Sequence, residues 1–263
     1  MQDLNIERHG HVALVEIDRP PNNFFDVDLI NGIADAFEAL DADTDVRALV
    51  LASAGKHFCA GANFGDPDAQ ASRRERRLED GNPLYAAAVR LFACRKPVVG
   101  AIQGAAVGGG FGLALMPDFR VVCPEARFTA NFVKLGFHPG FGLTWTLPRL
   151  VGQQRAALMF MTGRRIDGTT AHDWGLADVL TDRSEVRRKA LELAAEIAGN
   201  APLAVLSVRA TLRDGNGGPT LADIIKRQTD HEFAEQFRLQ QTEDHREGVR
   251  AVAERRPGDF KGR

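Results

Sequence analysis

Cysteine is scarce in this 263-residue chain: Cys59, Cys94 and Cys123 are far apart and odd in number. That argues against a disulfide framework and suits reduced thiols in a cytosolic, cytoplasmic setting. Neither charge is in surplus, with 33 Lys plus Arg against 35 Asp plus Glu and a net charge of −2. No global positive field therefore recommends nucleic acid as a partner. Metal-site spacing is missing too, because His231-Glu232 is followed by Glu235 where H-E-x-x-H needs a histidine. The first residues, MQDLNIERHGHV, hold no apolar stretch of the signal-peptide kind, so no secretion signal is expected there. There is no low-complexity segment and no exact repeat. With 44% hydrophobic and 26% charged residues, the chain can bury one large core, or one core and a small appendage.

Apolar patterning predicts strands at His11–Asp18 and Arg47–Ser53, the first stopped by Arg19-Pro20-Pro21-Asn22-Asn23. Between them, Leu29, Ile33, Phe37 and Leu40 stand near helical spacing behind a capping Asp26 or Asp28. Residues 65–83 are charge-dense, including Arg73-Arg74-Glu75-Arg76-Arg77, and read as a solvated surface segment. Leu84–Cys94 is helical in pattern. Phe119–Cys123 and Arg127–Ala130 read as extended, and GFHPGFGL (136–143) breaks regular structure. Helices are expected at Gln153–Thr162, Ser184–Gly199, Pro202–Arg213 and Leu221–Leu239. Strands crowd the first half and helices the second. We therefore expect an α/β core over 1–197 and a helical C-terminal region over 198–263.

The centre of the sequence is Pro97–Asp118, PVVGAIQGAAVGGGFGLALMPD. A short β-type run, Pro97–Ile102, passes through Gly104 and the triplet Gly108-Gly109-Gly110 into a helix ending near Met116. The glycines and proline boundaries argue against a membrane span. The spacing fits neither G-x-G-x-x-G nor a P-loop, and Gly55-Lys56 is followed by His57 rather than Ser or Thr. Two readings remain for the triplet. Bare N–H groups at a helix mouth suit an anion or a developing oxyanion; alternatively the glycines only let a helix and strand pack closely.

Several segments together resemble the crotonase superfamily, the enoyl-CoA hydratase/isomerase family. They are Asp18-Arg19-Pro20-Pro21-Asn22-Asn23, Phe58-Cys59-Ala60-Gly61-Ala62-Asn63, Gln103-Gly104 through Gly110, and Pro139-Gly140. Leu147–Gly152, Met161-Thr162-Gly163, Trp174–Asp178 and a tail running from Thr242 to Phe260 continue the match in register. The resemblance implies a crotonase-like spiral of strand–strand–helix repeats with a helical C-terminal trimerisation region, as a homotrimer or homohexamer. It implies an acyl-CoA thioester as substrate and no cofactor beyond coenzyme A itself. The backbone N–H groups of Ala62 and Gly109 would form the oxyanion hole. Pro21, Asn22, Phe24, Ala60, Gly61 and Gly108 would line the coenzyme A and thioester path, with Phe132 at the acyl end. Phe260 and Lys261 would reach a bound coenzyme A from the tail, often a neighbouring subunit's.

This sequence departs from the family where its chemistry is carried. The two catalytic glutamates of family hydratases fall at Gly112 and Phe132, and the aspartate of some isomerase and dehalogenase relatives falls at Gly140. None of the three can transfer a proton, and each well-placed acid or base contributes about 10²–10⁴-fold. His138 is the expected replacement, since histidine titrates near neutral pH; a histidine satisfied by backbone is the alternative. Asp66 and Asp68 follow the Ala62 loop and are expected at the surface. Phe132, Phe137, Phe141 and Trp145 suggest an aromatic acyl lining or ordinary core, and Cys59 a buried thiol. The first functional reading is an acyl-CoA enzyme that stabilises a thioester enolate. A catalytically silent acyl-CoA binder is the second, and a ligand-free oligomeric scaffold the last.

Overall fold

The computed structural model describes residues 3–63, 77–214 and 217–263. A hairpin opens the chain: β1 (Leu4–His9) pairs antiparallel with β2 (Val12–Ile17). All six residues of β2 are buried, because β3 (Ala48–Ser53) covers its other edge in parallel register, Val12 opposite Ala48. Helix α1 (Val27–Ala42) joins them, and Asp26 caps it by accepting from Leu29 N–H at 2.8 Å. Helix α2 (Pro83–Phe92) leads to β4 (Val98–Ile102), which extends the parallel sheet.

Gly104 then turns the chain out of that sheet. β5 (Ala105–Val107) lies in a second sheet, followed at once by α3 (Gly109–Leu115). The move repeats with β6 (Phe119–Val122) beside β4 and β7 (Arg127–Thr129) beside β5. An earlier rung of the same ladder is the parallel bridge from Cys59 to Ala106, and another runs from Phe25 to Ala62. Successive coils thus stack strand on strand in two sheets, which is the strand–strand–helix spiral expected from the resemblance.

Helices α4 (Leu143–Val151) and α5 (Gln153–Thr162), β8 (Arg165–Asp167), α6 (Gly168–Asp173) and β9 (Val179–Leu180) close the two sheets. The larger sheet runs β1-β2-β3-β4-β6-β9 and the smaller β5-β7-β8. Helix α7 (Val186–Ala198) packs on the larger sheet. The chain ends in α8 (Pro202–Asp214), α9 (Leu221–Leu239) and α10 (Glu243–Ala253). Arg209 of α8 ties this end to the core, pairing with Asp118 at 2.8 Å and donating to the Cys94 carbonyl at 2.7 Å. Among the described residues no single helix is long and apolar enough to cross a membrane.

Gly104 is where the spiral steps between sheets. A Cβ there would overlap the Lys56 carbonyl oxygen and lie 2.9 Å from His57 Cα, both backbone. Gly104→Ala is expected to lower stability by about 1–3 kcal/mol or more. Urea unfolding should show a lower midpoint at unchanged slope; an unaltered midpoint would mean that the turn has slack.

Candidate active site

Three backbone segments meet at the mouth of α3. The turn 19–25 is held by Arg19, which pairs with Asp3 at 2.6 Å and Asp26 at 2.7 Å. Within it the buried Asn23 amide donates to the carbonyls of Ala54 and His57, each at 2.8 Å. Asparagine suits this place because its side chain stands in for a turn's backbone. The loop 58–62 is bonded to that turn on one side, Ala60 N–H to Asn22 and Phe25 N–H to Gly61, both at 3.0 Å. On its other side Val107 N–H donates to Cys59, also at 3.0 Å. Pro21, Asn22, Phe24, Ala60, Gly61 and Ala62 are thus brought together with Gly108 and Gly109.

The closest approach is glycine on glycine. A Cβ at Gly61, where φ is +81°, would lie 2.7 Å from the Val107 oxygen and 3.5 Å from the nitrogens of both Gly109 and Gly110. A Cβ at Gly110 would overlap the Cys59 carbonyl and sit 2.8 Å from Gly61 N. Only residues without side chains allow this contact. The N–H groups of Ala62 and Gly109 have no acceptor among the described residues, and both residues are only half-buried. Gly109 is the first residue of α3, where an N–H has no intrahelical partner. Cys59, just before the loop, is fully buried; burial pushes its thiol up to about 12, so it stays protonated.

The positions without carboxylates are filled. A Cβ at Gly112 would lie 2.7 Å from Phe141 Cβ and 2.9 Å from its Cδ1. The Phe141 ring, in turn, stands 5.5 Å from that of Phe25, whose far edge covers Gly109. Phe132 is buried with its ring tip toward Gly108, 3.7 Å from where a Cβ would be. At Gly140 a side chain would collide with the hydroxyl of Tyr85, the only tyrosine in the chain, and with the Gln236 amide. That hydroxyl donates to Gln236 Oε1 at 2.8 Å, and Gln236 Nε2 donates to the His138 carbonyl at 2.9 Å.

One face of α9 grips this loop. Glu232, fully buried, accepts from Gly142 N–H (2.8 Å), Thr144 N–H (3.0 Å) and the Thr144 hydroxyl (2.5 Å). Gln228 Nε2 donates to the same hydroxyl at 2.7 Å. Gln228, Glu232 and Gln236 follow one another at i, i+4 and i+8, so they line one side of the helix. Between their anchor points Phe141 adopts φ +63° and Gly142 φ +73°. Burial raises the Glu232 pKa to about 7 against the three hydrogen bonds that favour its charge. Sequence reasoning missed Tyr85, Glu232 and Gln236 as parts of this region; the polar spacing along α9 was the available signal.

The ring of His138 points to other company. Its Nδ1 donates to the Pro139 carbonyl at 2.8 Å, and the ring stands edge-on to His231 of α9, 6.0 Å between centroids. Burial lowers its pKa, opposed by that hydrogen bond, so the ring is neutral at pH 7. These contacts do not include Ala62 or Gly109. The tail that carries Phe260 and Lys261 folds onto α10: Lys261 N–H donates to Asp244 at 2.6 Å and its ammonium pairs with Asp259 at 2.8 Å. Phe137 stacks on His245 of α10 and Trp145 lies under the Arg149 guanidinium, so neither is free to line a cavity alone. Asp66 and Asp68 fall outside the described residues.

Comparison with known proteins accords with this arrangement. The profile of the enoyl-CoA hydratase/isomerase family matches residues 7–263. The chain belongs to this family. It is 38% identical over 246 residues to a probable enoyl-CoA hydratase of Mycobacterium tuberculosis, covering 90% of this chain and 88% of that protein. It is 32% identical over 263 residues to the carnitinyl-CoA dehydratase of Proteus mirabilis, covering 100% and 99%. Among solved structures, the carnitinyl-CoA hydratase of Mycobacterium avium superposes with a TM-score of 0.86 at 31% identity, over the whole of both chains. The crotonase fold and membership of an enzyme family are therefore established, whereas the positions at 112, 132 and 140 remain without a carboxylate.

Glu232 gives the site region a pH signature. Its pKa is raised from an ordinary 4.5 to about 7, so its contribution to stability is full below pH 4.5 and is lost as pH rises through 7. The stability difference between the wild type and Glu232→Gln should therefore shrink from pH 4.5 to pH 7, by about 3 kcal/mol at most. Chemical denaturation of both proteins across that range reads it; a difference independent of pH would show that Glu232 does not titrate there.

Proposed function

We propose that this enzyme binds an acyl-CoA thioester and stabilises its enolate with the N–H groups of Ala62 and Gly109. The observation that carries the reading is the bare glycine contact between Gly61 and Gly109–Gly110, with the amides of Ala62 and Gly109 lacking an acceptor among the described residues. Enolisation moves negative charge onto the thioester oxygen, and fixed donors bind that charge better than they bind the neutral carbonyl. Pro21, Asn22, Phe24, Ala60 and Gly61 hold the coenzyme A portion, largely through backbone, and Gly108 and Phe132 flank the acyl end. Coenzyme A enters as part of the substrate and no other cofactor takes part. His138 is the proton carrier of this reading, and to serve, its ring must swing from the Pro139 carbonyl and His231 toward the bound thioester.

The reaction is chemistry in which no glutamate adds water to the double bond: isomerisation, decarboxylation or C–C cleavage through the enolate, or hydrolysis through a tetrahedral oxyanion that expels the coenzyme A thiolate. The carnitinyl-CoA dehydratases among its relatives work on thioesters of the same general kind by name. A catalytically silent acyl-CoA binder is the second reading, favoured by the aromatic and glycine residues at 112, 132 and 140. The region 198–263 assembles the protein as a trimer or hexamer; the exposed Val208 and Leu212 of α8, at 59% and 81%, support this because they are four residues apart and so form one apolar stripe in water. The division at 197 and a cytoplasmic location complete the proposal.

Two substitutions isolate the donor. Gly109→Ala and Gly109→Pro both press a Cβ on the Phe25 ring, but only proline removes the N–H. Gly109→Pro should reduce turnover of a responsive thioester by roughly 10²–10³-fold relative to Gly109→Ala. Equal rates in two folded variants would remove Gly109 from the mechanism. With crotonyl-CoA, the wild type should hydrate at least about 10⁴-fold more slowly than a two-glutamate hydratase assayed beside it. Turnover should fall as pH drops below neutrality and the His138 ring, its pKa lowered by burial, takes up a proton; His138→Ala should abolish that limb, and a preserved profile would assign the proton to another group.

A further inference from the structure

Among the described residues, just two buried side-chain nitrogen or oxygen atoms lack a hydrogen-bond partner: Arg209 Nη2 and Arg213 Nη1. Both arginines line the same cleft, about 560 Å³ in volume, between the end of α2, one face of α8 and the start of α9. Leu206, Arg209, Ala210 and Arg213 recur at helical spacing, so a single face of α8 forms its floor. Val208 and Leu212, the stripe assigned to assembly, are turned about 100° from the two arginines.

The two guanidinium groups share one carboxylate. Arg209, its side chain 10% exposed, pairs through Nε with Asp118 at 2.8 Å. Its Nη1 donates to the carbonyls of Cys94 (2.7 Å) and Arg95 (3.0 Å), which leaves Nη2 unused. Arg213 is held more loosely. Its Nη1 stands 3.5 Å from Asp118 Oδ1 and its Nη2 3.5 Å from the Met116 carbonyl, the outer limit for a hydrogen bond. Asp118 is further engaged by Val98 N–H at 2.8 Å, and Asp214, also at the cleft, accepts from Leu221 N–H at 2.7 Å. Arg95 adds a third cation to the lining. Positive charge is therefore in excess at the base, and Phe92, Leu206 and Ala222 supply an apolar wall. A charged donor buried without an acceptor is more costly than a neutral one, so the base of the cleft favours an oxyanion.

We propose that this cleft is a binding site for an organic carboxylate with a compact apolar body. The carboxylate bridges the two arginines, one oxygen on Arg209 Nη2 and the other on Arg213 Nη1, and the apolar body lies against Phe92 and Leu206. Arg213 can meet it because its present contacts are long and let the guanidinium turn. Charge-assisted bonds to a carboxylate are the strong kind that a guanidinium makes, and the volume is that of a small-molecule site. The cleft lies at the Met116 end of α3, opposite the glycine triplet, and the proposal is independent of the thioester reading.

Calorimetric titration of the full-length protein with hexanoate, hexanamide and inorganic phosphate tests this. Hexanamide has the apolar body without the charge, and phosphate the charge without the body. Each should bind at least about tenfold more weakly than hexanoate. Arg213→Gln should weaken hexanoate by roughly tenfold or more. Ala210→Trp, which fills the cleft and keeps both arginines, should do the same, and it carries the test should the glutamine variant not fold. A folded Arg213→Gln that binds hexanoate as the wild type does overturns the proposal, as does equal binding of hexanoate and hexanamide. Absence of hexanoate binding by the wild type overturns it as well; a lower oligomeric mass of Arg213→Gln would then give the arginines to a contact between copies of the chain.

Discussion

Two stretches of backbone, some fifty residues apart in sequence, touch in this protein with nothing between them. Gly61 faces the nitrogens of Gly109 and Gly110, and a methyl group at Gly61 or Gly110 would force them apart. The spiral makes that contact possible. Each coil lays a short strand beside the previous one, so Cys59 pairs with Ala106, and the residues just beyond both strands arrive at the same height. Glycine loses more conformational freedom on folding than other residues; here it permits a backbone approach that no side chain would allow. In the proposed reading the fold supplies a polar site from the main chain alone, and the side chains around it are free to vary.

That freedom explains how the chain keeps the architecture of an enoyl-CoA hydratase/isomerase while holding no carboxylate at three positions. A helix position that a glutamate would fill can be occupied instead by a ring arriving from elsewhere, provided the local residue shrinks to make room. Gly112 and Phe141 are such a pair: deleting the side chain at one makes space for the other. Gly140 with Tyr85 and Gln236 is a second pair. Interiors are packed to the density of organic crystals, so a missing side chain is answered by a larger neighbour rather than by a void.

Much of this was legible in the sequence, for identifiable reasons. β3, α1, α5 and α9 could be read because their burial is one-sided or continuous and their period is therefore clean. β1 could not: LNIERH exposes five of six residues at a sheet edge and holds only Leu4 and Ile6 as apolar side chains, too few for a period. The three-residue strands β5 and β8 are too short for a period, and α4 was hidden by Pro148 inside its sequence. The glycine triplet announced a bare helix mouth, yet what it faced came only with the fold. His138 was singled out by residue type, whereas its ring keeps company with Pro139 and His231.

The same contrast separates two kinds of histidine evidence. A side chain can belong to the right loop and still turn outward, because successive residues of an irregular segment point in different directions. In the loop 136–143, Phe141 turns in toward α3 while His138 turns toward α9, and the carbonyl of His138, not its ring, is what Gln236 holds. The α9 face that secures this loop is polar, buried and fully bonded, with Gln228, Glu232 and Gln236 each spent on a backbone or hydroxyl partner. Buried polar groups of that kind fix one arrangement among many that an apolar contact would tolerate. The orientation of Phe141 is therefore specified by hydrogen bonds some distance from its ring, and in the proposed reading the Gly109 amide owes its apolar surroundings to contacts made on α9.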